Sequence, residues 1–329
     1  MSTLPLTLAC DLYDRTAPLF DGRVVPQGIA LNYLAQQPVE TLWRQLRFAE
    51  FDVSEMSLSA YIMEVGRGDP RFIALPVPVV RIFRRGNVYV RRDAGIEHPG
   101  DLKGRRVGVP EYHMTAALFI RGFLADDHGV RPEDLEWFQG GQIEPGRKER
   151  VELHLPPEVH ITHVPDRTLD EMLLAGDLDA IVTGAALGSF QAGDPRVGQL
   201  FEDPRAVDLE AFHRTGIFPI MHIIALRRDV YEANPWVALN LYRAFEEARA
   251  LVAGTLASWR GGGSVMLPFF QDDLHRAQAE MGLDPWPYGI EANRPTFEAA
   301  VRYSYEQSLS PRPVSVEELF VPNLVENRV

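Results

Sequence analysis

The chain has 329 residues and a formal net charge of −13, long enough to bury one large core or two modest ones. An acidic surface argues against nucleic acid or an anionic membrane as partner, since both require a basic one; a local cluster of Arg and His could still hold a small anion in a cleft. The single cysteine, Cys10, excludes an intramolecular disulfide and a cysteine-based zinc site.

Leu4 to Cys10 reads as a first strand. Its run Leu6-Thr7-Leu8-Ala9-Cys10 looks like a lipoprotein cleavage box. It lacks the basic start and the apolar stretch of about 7–15 residues that export needs. No apolar run approaches the roughly 18 residues of a membrane span, so a cytoplasmic protein is expected. Ile29 to Leu34 is a second strand, and Val39 to Ala49 a helix with Leu42, Trp43 and Leu46 at helical spacing. Strands over Asp52 to Met56, Ile73 to Val80 and Asn87 to Arg91 follow. This strand–helix rhythm with short links is the sign of a largely parallel α/β sheet.

The rhythm restarts at Arg106, with a strand to Val109, a helix over Thr115 to Asp126 and a strand over Leu135 to Phe138. The segment 140–157, rich in Gly, Pro and charge, is too long for an ordinary link and is read as a surface insertion or a flap over a cleft. Thr168 and Glu171 form a capping box, Gly176 ends that helix, and Asp179 to Thr183 is a buried strand. Met221 to Leu226 returns to the first lobe. Asn234 as cap and Pro235 at the first helical position open a helix over Trp236 to Ala253. Gly261 to Gly263 reads as a flexible link, and Pro295 opens a last helix with Phe297, Val301 and Tyr305 on one face. The expected division is residues 1–98 with 216–329 as lobe one, and 99–215 as lobe two.

Chemistry is expected where strand ends feed helix starts, because first-turn N–H groups have no partner inside the helix. The run Glu111-Tyr112-His113-Met114-Thr115 is one such place, and Ser54-Glu55-Met56-Ser57 is its counterpart in lobe one. Thr115 and the serines could equally be ordinary caps. Glu55 facing a closed cleft would have a raised pKa and could give up a proton. Asp11, Tyr13, Asp14 and Arg15 follow the first strand, and the planar fork of Arg15 suits a carboxylate. Arg81 and Arg84 are further cations, whereas Arg147 and Lys148 read as a solvated charge run. His222, in an apolar strand, is either a core residue or a catalytic one. There is no HExxH, Walker loop, GxGxxG or GxSxG motif, so no organic cofactor is expected. Metal dependence stays open.

The segments LTLACDLYDRTAPLFDGRV at 6–24, FDVSEMSLSAY at 51–61, RVGVPEYHMTAA at 106–117, GGQIEPG at 140–146, 219–236, and WPYGIEANRPTFEAAVRYSYEQ at 286–307 resemble the 4,5-dihydroxyphthalate decarboxylase family. The resemblance runs nearly end to end. It implies a two-lobed type 2 periplasmic-binding-protein-like α/β fold with the ligand in the cleft between lobes. It further implies conversion of a hydroxylated aromatic diacid, 4,5-dihydroxyphthalate, to protocatechuate and CO₂ by ring protonation. On that basis His222 or His113 would donate the proton and Glu55 would receive or polarise a phenolic O–H. Arg15, Ser54, Ser57 and Thr115 would hold carboxylates, and Tyr13, Tyr112 and Arg81 would complete the binding set. The expected partner is a small aromatic carboxylate, with a homo-oligomer left open. The competing reading is a non-catalytic solute-binding protein for such a carboxylate.

Overall fold

Apolar runs separated by short polar turns build two sheets in the computed structural model, which describes residues 3–258, 263 and 265–326. The strands are β1 (Leu4–Cys10), β2 (Ile29–Ala35), β3 (Val53–Ser57), β4 (Phe72–Arg81), β5 (Val88–Arg91), β6 (Arg106–Val109), β7 (Glu136–Gly140), β8 (Ile161–Val164), β9 (Ala180–Val182), β10 (Val197–Gln199) and β11 (Ile220–Arg227). The first sheet has the order β2-β1-β3-β11-β4 and the second β10-β5-β9-β6-β7-β8. β1 runs parallel to both β2 and β3, while β11 lies antiparallel between β3 and β4. In the second sheet β9, β6, β7 and β8 are parallel, β5 is antiparallel to β9, and β10 is antiparallel to β5.

The expected α/β architecture and double crossover are present, with one correction to the lobe boundary. Val88–Arg91 pairs with β9 and β10, so the first crossing falls at 82–87, not near residue 98. Tyr89 explains it: the ring packs into the second lobe's cluster with Leu169 and Leu178. β8 and β10 escaped the sequence reading because they are three or four residues long and β8 is half-exposed.

The helices that matter for the site are α1 (Pro38–Phe48), α2 (Leu58–Arg67), α3 (Thr115–His128), α4 (Leu169–Ala175), α5 (Pro204–Thr215), α6 (Trp236–Ala257) and α7 (Arg294–Glu306). Thr168 and Glu171 cap each other's free N–H groups at the start of α4, and Gly176 closes it in the left-handed region at φ 85°. The expected cap of α6 differs. The Asn234 side chain donates to Val230 O, one turn back, and the helix begins after Pro235. On α7, Phe297 and Val301 are buried as expected, but Tyr305 is exposed and Tyr303 turns inward instead. The expected Gly261–Gly263 link falls outside the described residues except at Gly263.

α7 packs on both α2 and α3, and α2 and α3 belong to different lobes. The largest apolar cluster therefore runs through both sheets, from Met56 and Phe72 to Val107 and Trp137. No helix among the described residues is long and apolar enough to cross a membrane.

Candidate active site

Strand periodicity decides which residues reach the space between the lobes. On β3, residues 55 and 57 share one face and 54 takes the other. β11 pairs Ser57 with His222 and Glu55 with Ile224, so Glu55, Ser57 and His222 lie on the same face as diagonal neighbours. The pairing of β11 with β4 shifts register on either side of His222, where Pro78 cannot donate to the ladder. Such irregularities turn a side chain away from a regular pleat.

His222 lines a cavity of about 450 Å³ between the two sheets. Its Nδ1 lies 2.6 Å from Glu55 Oε1, and Nε2 makes no hydrogen bond among the described residues. Glu55 is fully buried and is held from three further sides. Tyr13 donates its hydroxyl to Oε1 at 2.7 Å, the Asp11 N–H donates to Oε2 at 3.2 Å, and the Cys10 thiol lies 3.6 Å from Oε2. Burial pushes the Glu55 carboxyl up, but the His222 ring, the Tyr13 hydroxyl and the Asp11 N–H outweigh it and hold it below the usual carboxylate range. This corrects the expected rise, because the sequence did not reveal that His222 and Tyr13 both face this one carboxylate. Burial, then Glu55, pushes the Tyr13 hydroxyl far up, so it remains a donor.

The two helix starts meet. Ser57 is the N-cap of α2 and accepts from Ala60 N at 3.5 Å. Thr115 is the first residue of α3 and does not cap it. Its Oγ1 crosses the cleft, accepting from Ser59 N at 3.1 Å and lying 2.9 Å from Ser57 Oγ. Thr115 thus fills an orphan-donor position of the opposite lobe's helix.

His113 lines the cavity from the other wall, set between two carboxylates. Nδ1 lies 2.5 Å from Glu149 Oε2 and Nε2 lies 3.4 Å from Glu111 Oε2. Glu149 also accepts the Tyr112 N–H. Arg147 Nε and Arg150 Nη2 donate to Glu111 at 2.6 and 2.8 Å. Burial pushes the Glu111 carboxyl up, and Arg150, His113 and Arg147 together bring it below its ordinary value. Segment 141–160 is therefore a strap fastened to the cavity wall by charge. Lys148 is exposed as expected, but Arg147 is an ion-paired lining residue. Glu111, His113 and Glu149 bring ligand atoms within 4.8 Å of one another, the one such group among the described residues. Within this group Glu111 is also the partner of Arg147 and Arg150.

Glu55, expected to reach a phenolic O–H, is fully buried and does not line the cavity, and four expected substrate contacts also lie off its wall. Arg15 donates to Val79 O at 2.7 Å and is sandwiched between Tyr13 and Trp286, 4.3 and 4.5 Å from their ring centres. Arg81 donates to Phe218 O at 3.3 Å and stacks on the Phe218 ring. Ser54 is buried on the opposite face of β3, its hydroxyl without a hydrogen-bond partner among the described residues. The Tyr112 ring lies under the Arg121 guanidinium at 3.7 Å, against Trp137. Each of these is absorbed by packing. The cavity instead exposes Tyr13, Ser57, His113, Thr115 and His222 from the expected set, together with Asp11 and Arg84, which the sequence named without assigning a role, and adds Gln142, Arg150 and Thr183. Thr183 follows β9, so the strand-end rule that singled out Ser57 would have found it too. Val39, Leu42 and Leu46 of α1 supply an apolar side wall.

A protein of Comamonas testosteroni named 4,5-dihydroxyphthalate decarboxylase is 39% identical to this chain over 328 residues, 99% of each. One of the same name from Pseudomonas putida is 41% identical over 206 residues, 62% of this chain and 80% of its own. No family model matches. Among solved structures, the periplasmic aliphatic sulphonate binding protein SsuA from Escherichia coli aligns with a TM-score of 0.55 at 15% identity, covering 98% of this chain and 99% of that one. The fold is thus that of the type 2 periplasmic binding proteins.

Proposed function

The chain belongs to the 4,5-dihydroxyphthalate decarboxylase family, and from that premise we propose that it removes one carboxylate of 4,5-dihydroxyphthalate as CO₂, leaving 3,4-dihydroxybenzoate, with His222 as proton donor. The activity is that of a carboxy-lyase. Direct loss of CO₂ from an arene would leave an electron pair in the ring plane with no resonance sink. A hydroxyl para to the departing group removes that obstacle. The ring carbon bearing the carboxylate accepts a proton while the para hydroxyl gives one up, which makes a dienone. The carbon–carboxylate bond then breaks, its electron pair restores the aromatic ring, and the phenol oxygen recovers a proton. One proton is consumed overall and no organic cofactor is needed.

One observation carries the choice of acid: His222 lines the cavity with Nδ1 held by Glu55 and with no hydrogen bond to Nε2 among the described residues. His113 instead lies between the Glu149 and Glu111 carboxylates with its side chain 4% exposed, against 19% for His222. Glu55 is then a positioning residue that fixes the tautomer and supports the imidazolium. Asp11 is the carboxylate on the cavity wall and is assigned the phenolic proton. A positioned acid contributes about 10²–10⁴-fold, and exclusion of water by the strap and α1 strengthens every charge interaction inside. The reading extends to a cytoplasmic enzyme of phthalate degradation acting on a free small molecule, in keeping with the acidic net charge.

The test is to incubate the purified protein with 4,5-dihydroxyphthalate, 4-hydroxyphthalate and phthalate, following CO₂ release and the ultraviolet spectrum. The first two should be converted, and phthalate, which lacks the para hydroxyl, should not. In D₂O the product should carry one deuterium at the vacated carbon. Binding without spectral change would favour a receptor, and turnover of phthalate at a comparable rate would reject ring protonation.

A further inference from the structure

Three buried arginines make no ion pair among the described residues: Arg81, Arg84 and Arg121. A buried cation without a counter-ion is costly unless something compensates it. Arg81 and Arg121 are compensated by carbonyl oxygens and by aromatic rings at 4.2 and 3.7 Å, and neither lines the cavity. Arg84 does line it. Its Nη1 donates to Gly184 O at 2.7 Å and Asn87 Oδ1 at 3.2 Å, and its Nε lies 3.2 Å from Met221 Sδ. These contacts leave Nη2 without a hydrogen-bond partner among the described residues and hold the guanidinium beside the strand that carries His222. The other cavity arginines, Arg147 and Arg150, are already committed to Glu111. Burial pushes the Arg84 guanidinium down to about 10, so it still carries its charge at neutral pH.

We propose that Arg84 is the anchor for the carboxylate that the reaction leaves in place. The inference rests on the decarboxylase reading above and names the part of the substrate that this residue selects. A carboxylate held by a guanidinium has its negative charge stabilised where it is, which opposes flow of its bond electrons into the ring. The departing group must therefore be the other carboxylate, nearer His222 and the apolar wall of α1. Arg84 sits on the first lobe crossing and bonds Gly184 of the second lobe, so an anion on Nη2 also ties the lobes together. The anchor requires an aromatic acid with a second carboxylate, which makes Arg84 a specificity-determining residue.

The experiment measures equilibrium binding of 3,4-dihydroxybenzoate and of catechol to the wild type and to Arg84→Met and Arg84→Gln, with thermal unfolding as the fold check. The two probes differ only in the anchored carboxylate. Loss of a charge-assisted pair should weaken 3,4-dihydroxybenzoate roughly ten- to a hundredfold and leave catechol unchanged; Arg84→Gln keeps a donor for Gly184 O should Met not be tolerated. Equal 3,4-dihydroxybenzoate affinity in either folded variant overturns the proposal. If the wild type decarboxylates and the variants keep its KM, the anchor falls and the decarboxylase stands. If the wild type binds 3,4-dihydroxybenzoate through Arg84 but turns nothing over, the anchor stands and the decarboxylase falls.

Discussion

At the scale of the residue, the site is a set of side chains whose partners limit what each can do. His113 and His222 both line the cavity, yet one is enclosed by Glu111 and Glu149 and the other has no hydrogen bond to Nε2 among the described residues. Glu55 supplies the difference on the His222 side. Removing its charge while keeping its shape, in Glu55→Gln, should lower kcat roughly 10²–10⁴-fold, as for other orienting carboxylates, with KM little changed. A merely structural carboxylate would move both together with stability. Glu55 and Glu111 are also buried acids held below the ordinary value of 4.5. The unfolded chain takes up protons near 4.5 that the folded carboxylates refuse, so their contribution is complete above that pH and is lost as pH falls through their folded values. Unfolding midpoints should drop below about pH 4.5, less steeply in Glu55→Gln. Ser54 shows why the sequence over-predicted contacts. A strand alternates faces, so 54 and 55 could not both face the cavity side; Glu55 takes that side, bonded to Tyr13 and His222, and does not itself line the cavity.

At the scale of the element, close approach of helices from different lobes sets the width of the cleft. Gly122 on α3 lies under Tyr303 of α7, and a Cβ there would meet the ring at 2.4 Å. A tyrosine ring cannot yield as a flexible chain end would. Gly122→Ala should therefore destabilise by about 1–3 kcal/mol through overpacking, read as a lower denaturant midpoint at unchanged slope. Unchanged stability would show that α7 moves freely against α3. Most long elements were legible from hydrophobic period and caps, α4 most clearly, because Thr168, Glu171 and Gly176 each act within one turn. β8 and β10 were not, since their pairing is supplied by neighbours distant in the chain. Thr115 was legible as a helix start, but its hydroxyl serves the helix of the other lobe, a relation that only tertiary structure creates.

At the scale of the whole molecule, two sheets, a double crossover and an interlobe cavity followed from alternating elements and strand-end residues. The choice among arginines did not follow. Arg15, Arg81 and Arg84 are equivalent in a sequence, and only packing makes two of them structural and leaves the third facing the cavity. The strap was legible as an irregular segment of the right length, but its fastening by Arg147, Glu149 and Arg150 was not, because their acidic and imidazole partners lie more than thirty residues earlier. In the proposed mechanism, closure and proton delivery belong to one assembly, with His222 as the acid. The most direct measurement is turnover of 4,5-dihydroxyphthalate by His222→Gln, alongside its affinity for 3,4-dihydroxybenzoate. The account predicts a loss of turnover of about 10²–10⁴-fold with that affinity retained; turnover near the wild-type rate would contradict it.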